Sequence, residues 1–271
     1  MVNLTAHVRE LLDRRLRPGC MQRALLVTAL AGLCFGPCDR DIAAAAEVAV
    51  PQEIQAIVDS PDRSASDREM DQRRHPAEML AFFAVKPGMV VLDVGTGRGY
   101  TAELLARAVG PGGSVVAQND PLIFERFLKS QWDPRFSRDV MKNVQPVVRP
   151  YDDPVPPGAG PFDRITVVFA YHDTEWMGRN RAAMNQALFR ALKPGGDLIV
   201  VDHAGNPGTG ATQTQTLHRI EESVVRTELE AAGFQFVEEA QFLRNPNDPR
   251  DAPFFKATVP VDQFVLKYRR P

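Results

Sequence analysis

The chain has 271 residues, 44% of them hydrophobic and 24% charged, with 32 Lys and Arg against 34 Asp and Glu for a net charge of −2. This supplies one well-buried core plus a tail, and it lacks the positive excess of a nucleic-acid surface, so nucleic acid is not expected as the substrate. All three cysteines (Cys20, Cys34 and Cys38) fall in the N-terminal segment, which leaves the rest of the chain without thiol catalysis, a disulfide framework or a cysteine metal site.

Residues 1–46 differ in character from the remainder of the chain. Arg9, Arg14, Arg15, Arg17 and Arg23 precede the uncharged run Ala24–Gly36, which is too short to cross a bilayer as a helix; Pro37 and the small residues Ala43–Ala46 come after it. A basic flank, a short apolar segment and a small-residue site describe a secretory signal peptide or N-terminal targeting segment. Met21 is a second candidate start, and an ordinary N-terminal helix is the plain alternative. A periplasmic or exported protein is therefore expected, with a cytoplasmic one as the alternative, and no stable membrane span. Without the segment, 26 basic and 30 acidic residues remain. Residues 47–66 read as a short helix and a polar linker broken at Ser60-Pro61, and the folded domain is expected over residues 67–271. The sequence carries no signal of oligomeric state.

The domain opens with a helix in which Pro76 is a first-turn proline and Met79, Leu80, Phe82 and Phe83 form an apolar face. Lys86-Pro87-Gly88 turns into strand Val90–Val94, followed by helix Tyr100–Val109. Pro111-Gly112-Gly113 leads to strand Ser114–Gln118 and a helical stretch Leu122–Lys129. Strand Val144–Val148 comes next, then Arg164–Phe169, which is almost entirely apolar and reads as buried on both faces. Helix Ala182–Leu192 stops at Lys193-Pro194-Gly195-Gly196, before strand Leu198–Val201. Helix Leu217–Ala232 ends at Gly233, in the position of a C-cap glycine, and Phe234–Glu238 with Gln263–Tyr268 read as a terminal hairpin. Strands alternating with helices predict an α/β fold with a doubly wound, mostly parallel sheet.

The run from Val90 to Tyr100 carries the main chemical signal. An apolar strand ends in Asp93, and Gly95, Gly97 and Gly99 then form a turn with no side chain between backbone and ligand. The helix after the turn directs its unpaired N–H groups and positive dipole end at the loop, which suits a small, partly anionic ligand. A dinucleotide fingerprint would need its third glycine where Tyr100 stands. Asp93 repels a pyrophosphate but suits an ammonium group.

Asp93 with this glycine spacing resembles the first motif of class I S-adenosylmethionine (SAM)-dependent methyltransferases, and Leu192-Lys193-Pro194-Gly195-Gly196 is similar to a second signature of that family. Arg74-His75-Pro76-Ala77-Glu78, Tyr171-His172-Asp173, Val201-Asp202-His203 and the tail Leu243-Arg244-Asn245-Pro246 resemble, more narrowly, a group of bacterial predicted methyltransferases with N-terminal signal peptides. The resemblance implies a Rossmann-like seven-stranded sheet with an antiparallel last strand, SAM as cofactor, and methyl transfer to a small-molecule acceptor. It implies that Asp93, Gly95, Thr96, Gly97 and Gly99 hold the methionine portion. Asn119 stands where the family usually places a ribose-binding carboxylate, with Asp120 next to it, either a ribose ligand or a turn residue. Asp152 is the candidate partner of the adenine amino group, with a plain Asp-Asp-Pro turn as the alternative.

The segment after the fourth strand, Ala170–Trp176, is polar and aromatic. His172, with an ordinary pKa near 6.5, is the candidate general base and Asp173 its orienting carboxylate, against a helix-capping role for Asp173. His203 ends the fifth strand, as a supporting partner of the catalytic pair or a substrate contact. With Asp202 and His218 it could assemble a metal site, but the spacing matches no local metal motif and no metal ligand is assigned. The alternatives to a methyltransferase are an exported non-catalytic binding protein and a metal-assisted protein on the same fold.

Overall fold

The computed structural model describes residues 48–271, and the segment read as a signal peptide lies outside the described residues. Helices α1 (Gln52–Val58), α2 (Ala65–Arg74) and α3 (Pro76–Phe83) lead into β1 (Val90–Val94) and α4 (Tyr100–Val109). Next come β2 (Ser114–Asn119), α5 (Pro121–Ile123), a π-helical stretch Phe124–Leu128, α6 (Lys129–Phe136), β3 (Val144–Val148) and β4 (Phe162–Val168). The chain continues through α7 (Tyr171–Trp176), α8 (Arg181–Ala191), β5 (Leu192–His203), α9 (Thr214–Leu217), α10 (Glu222–Ala231), β6 (Gln235–Ala240) and β7 (Gln263–Arg269).

The seven strands form one sheet in the order β3-β2-β1-β4-β5-β7-β6. β1 pairs in parallel with β2 and β4, β2 with β3 and β4 with β5, while β7 runs antiparallel to both β5 and β6. The expected architecture, including the reversed last strand, is the one observed. The continuous apolar character of β1 reflects burial on both faces. Val91 packs with Phe82, Phe83, Leu104 and Leu105 on one side of the sheet, while Leu92 and Val94 pack with Met184, Leu188 and Leu229 on the other. Each such side chain contributes about 1.5–3 kcal/mol on burial. The strand order reverses between β1 and β4, so ligands are expected beyond the carboxyl ends of these two strands.

Three local expectations change. Residues 48–66 hold the expected short helix as α1, but the stretch is not a free linker: Ile54 and Val58 of α1 are buried in the core, and Arg63 donates to Val58 O at 2.8 Å and bidentately to Asp71 at 2.7 Å. The helix expected over 217–232 is two helices. His218 takes a left-handed φ of 52°, Arg219 and Ile220 are fully buried, and Ile220 bridges to Ala204. This tether to the end of β5 outweighs local helix propensity, and α10 restarts only at Glu222. Leu192, expected to end the helix, and Lys193–Gly196, expected to stop it, already belong to β5.

Candidate active site

The turn after β1 needs its glycines. Gly95, Gly97 and Gly99 have φ of +68°, +57° and +85°. A Cβ on Gly95 would stand 2.3 Å from the Ala170 Cβ, whereas one on Gly97 would meet nothing within 4 Å, because Gly97 faces the open cavity. The end of β2 braces the loop. Gly95 N–H donates to Gln118 Oε1 at 3.1 Å, Thr96 N–H to Gln118 O at 2.9 Å and Gly97 N–H to Asn119 Oδ1 at 2.9 Å. Asn119 Nδ2 returns a bond to Gly97 O at 3.0 Å.

Asp93 lies beneath this loop, 1% exposed. Its Oδ1 accepts from the Thr166 hydroxyl at 2.7 Å, while Oδ2 and the Thr96 hydroxyl are buried without a hydrogen-bond partner. Burial pushes the carboxyl up to about 6, with neighbouring hydroxyls and the Arg74 guanidinium pulling the other way. An orphaned carboxylate oxygen beside a glycine turn fits a cationic group on a ligand.

The loop opens onto a cavity of about 1500 Å³ at the carboxyl ends of β1, β4 and β5. Its walls include Asp93, Gly95, Thr96, Gly97, Asn119, Tyr151, His172, Asp173, His203 and His218. Phe169 and Phe254 sandwich the His203 ring at centroid distances of 4.7 and 4.8 Å. Burial, with positive charge on His172 and Arg219 nearby, holds His203 well below the usual histidine pKa, so it is neutral. His172 is the opposite case. Its Nδ1 is 2.7 Å from Asp202 Oδ1, its Nε2 is 3.2 Å from Asp173 Oδ1, and its backbone N–H donates to Asp202 Oδ2 at 2.8 Å. Burial opposes the charged form, but the two carboxylates outweigh it and raise His172 to about 10. Asp173 is held well below the carboxylate range, because the bonds from His172, His218 and Trp176 outweigh its own burial.

A family model described as protein-L-isoaspartate(D-aspartate) O-methyltransferase matches residues 44–234. The chain belongs to that family. Among curated relatives, it is 32% identical to the ubiquinone/menaquinone biosynthesis C-methyltransferase UbiE of Ectopseudomonas mendocina over 125 residues, covering 45% of this chain and 46% of that protein. It is 29% identical to the protein-L-isoaspartate O-methyltransferase of Ignicoccus hospitalis over 157 residues, covering 57% and 67%. The chain thus spans between about half and two thirds of these proteins' length. A crystal structure of a SAM dependent methyltransferase from Aquifex aeolicus superposes with a TM-score of 0.56 at 20% identity, covering 80% of this chain and 98% of that one, and shows the shared fold. The family and the fold are those of SAM-dependent methyltransferases. The orphaned Asp93 oxygen and the open face of Gly97 fit that cofactor.

Within this fold the expected site is partly redrawn. Asp93, Gly95, Thr96, Gly97 and Asn119 do line one cavity, and Gly99 starts α4 behind the loop. Asn119, expected at the ribose, commits an acceptor and a donor to Gly97 and acts as a loop brace. Asp120 takes the turn role offered as its alternative: it caps α5 through Leu122 N–H at 2.9 Å, accepts from Tyr151 N–H at 3.1 Å and pairs with Arg179 at 2.8 Å. Asp152 lies off the cavity wall, where its neighbour Tyr151 stands instead. His172 is corrected most sharply. With a carboxylate on each ring nitrogen, it has no free nitrogen to act as a general base. Asp173, Asp202 and His203 do converge on it, as the strand ends implied.

Sequence reasoning placed Arg74 in a family-like motif but gave it no role. Its guanidinium carbon sits 4.9 Å from the Tyr100 ring centroid and 5.0 Å from that of Phe169, on the cavity wall. It makes no ion pair with a carboxylate among the described residues, and burial lowers its pKa. Of the aromatic wall, Phe169 precedes and Trp176 ends the segment already read as polar and aromatic, whereas Phe242 and Phe254, from two distant segments, were hidden.

Proposed function

We propose that this protein transfers the methyl group of SAM to a small molecule seated in the same cavity, between the glycine loop and the aromatic wall. One observation carries the reading: the loop and orphaned Asp93 oxygen share a cavity of about 1500 Å³ with the His203–Phe169–Phe254 stack, whereas ordinary ligand sites occupy about 300–1,000 Å³. There is room for a cofactor and an acceptor together. Bound SAM supplies an electrophilic methyl group, and the chain's task is alignment for in-line displacement, the step where positioning contributes most. Asp93 holds an ammonium group, Gly97 admits the ligand against the backbone, and neutral His203 offers the acceptor a hydrogen bond.

A second reading, in which the acceptor is a carboxylate on a peptide or small acid, is supported by the family's own substrate and by Arg74, whose unpaired guanidinium would hold such a group. Calorimetry with SAM, followed by methyl-transfer assays against phenols, small carboxylic acids, an isoaspartyl peptide and RNA, tests both. Absence of SAM binding ends the proposal, and transfer only to the peptide selects the second reading. Export through residues 1–46 belongs to the proposal and is tested by the N-terminus of protein isolated from cells. Among the described residues no helix is long and apolar enough to cross a membrane.

A further inference from the structure

The residue that cannot serve as a base belongs to a cluster with another use. His172 Nε2 lies 3.2 Å from Asp173 Oδ1, His218 Nδ1 lies 3.8 Å from the same oxygen, and one donor atom from each residue falls within 4.8 Å of the other two. A tetrahedral ion with bonds of about 2.0–2.1 Å sets its ligand atoms roughly 3.3 Å apart. Two of the three separations, 3.2 and 3.8 Å, are already close to that spacing, and the third, within 4.8 Å, closes with a side-chain movement of at most about 1.5 Å.

Each of them is also supported from behind. Asp202 Oδ1 grips His172 Nδ1 at 2.7 Å, and Asp202 is itself fixed by the backbone N–H groups of His172 and His203, both at 2.8 Å. That contact assigns the proton to Nδ1 and aims the Nε2 lone pair at the cluster, the carboxylate–histidine arrangement that orients metal ligands. Trp176 Nε1 donates to Asp173 Oδ1 at 2.7 Å and holds the carboxylate in place. His218 is set by its left-handed backbone, and its ring lies edge-on to those of His172, Phe254 and Phe255 at 5.5, 6.0 and 5.7 Å. All three candidate ligands line the cavity.

We propose that His172 Nε2, Asp173 and His218 Nδ1 bind one divalent first-row transition-metal ion, with its remaining coordination positions open to the cavity. Two imidazoles and one carboxylate are a donor set suited to zinc or ferrous iron, and three protein ligands with an open position describe a reactive site, not a structural one. The ion takes the place of the proton that His172 otherwise shares with Asp173. Its net charge of +1 with these ligands suits an acceptor's carboxylate oxygen, or a hydroxyl oxygen whose proton it would help release. This use of the ion rests on the methyl-transfer reading; its binding does not.

The test is calorimetric titration of the whole protein with Zn²⁺ and with Co²⁺, alongside Asp173→Asn and His218→Asn. Asparagine tolerates the left-handed backbone at 218, so that variant keeps its fold even where Asp173→Asn does not. We expect one ion per chain, at least tenfold weaker binding in either variant, and visible Co²⁺ absorption bands that both variants lose. Absence of saturable one-to-one binding, or His218→Asn binding as tightly as the parent chain, overturns the proposal. A parallel SAM titration separates the two ideas. Metal binding without SAM binding upholds the ion site and removes the methyl-transfer reading, and the reverse removes the ion site alone.

Discussion

Asp93→Asn isolates the group on which cofactor recognition turns. The carboxyl is 1% exposed and raised from an ordinary 3.8 to about 6. About two pKa units at 1.36 kcal/mol each amount to about 3 kcal/mol. The sign comes from proton uptake. Between pH 4 and 6 the folded state holds the proton and the unfolded chain does not, so stability falls as pH rises through that window and stays lower above it. In Asp93→Asn the Thr166 hydroxyl still finds an acceptor, and the pH-dependent contribution disappears. Any fixed cost of the new amide is the same at every pH and cancels in the comparison. We therefore expect the stability difference between variant and parent to move by about 3 kcal/mol in the variant's favour from pH 4 to pH 8, roughly 6–12 °C in melting temperature for a domain of this size. Urea unfolding at intervals across that range reads it. The same variant should bind SAM at least a hundredfold more weakly at pH 8. Parallel pH profiles for the two proteins would refute the reasoning, because they would mean that Asp93 is not held protonated by burial.

The loop glycines differ in kind. Gly95→Ala drives a Cβ to 2.3 Å from Ala170 at φ +68° and should cost about 2–5 kcal/mol of stability in urea unfolding, whereas Gly97→Ala, which meets nothing within 4 Å, should cost about 1 kcal/mol and appear instead as weaker SAM binding. Arg74→Met, which removes a half-buried guanidinium with no ion pair, should leave the melting temperature unchanged and weaken a carboxylate-bearing ligand about tenfold or more by calorimetry. Arg219→Met strands the buried Asp248, which Arg219 contacts at 2.8 Å, and should cost about 3–5 kcal/mol by chemical denaturation, partly recovered when Asp248→Asn is added.

Most of the sheet was legible because its signals are local. Apolar runs mark β1, β2 and β4, glycine and proline mark the turns, and Tyr100–Val109 was read at its observed bounds. Long-range contacts decided the misread segments. Residues 48–66 look polar in sequence, yet Ile54 and Val58 pack inward and Arg63 pairs with Asp71. The break at His218 has no glycine or proline to announce it; the buried Arg219 and Ile220 impose it by binding the end of β5.

The sequence by itself determined the fold class, the glycine loop with Asp93, and the convergence of histidines and aspartates at the ends of the fourth and fifth strands. These depend on residues adjacent in the chain or one strand apart. Only the tertiary structure decided what each polar side chain is free to do. It turned Asn119 inward to brace Gly97, used Asp120 as a cap and ion-pair partner, and closed two carboxylates around His172. It also left Asp93 Oδ2 and the Arg74 guanidinium facing a cavity without partners. The physical reason is that a titratable group's role depends on burial and on which opposite charges lie within a few ångströms. In this protein those partners come from up to 30 residues away for His172 and 73 for Asp93, beyond the reach of any local pattern.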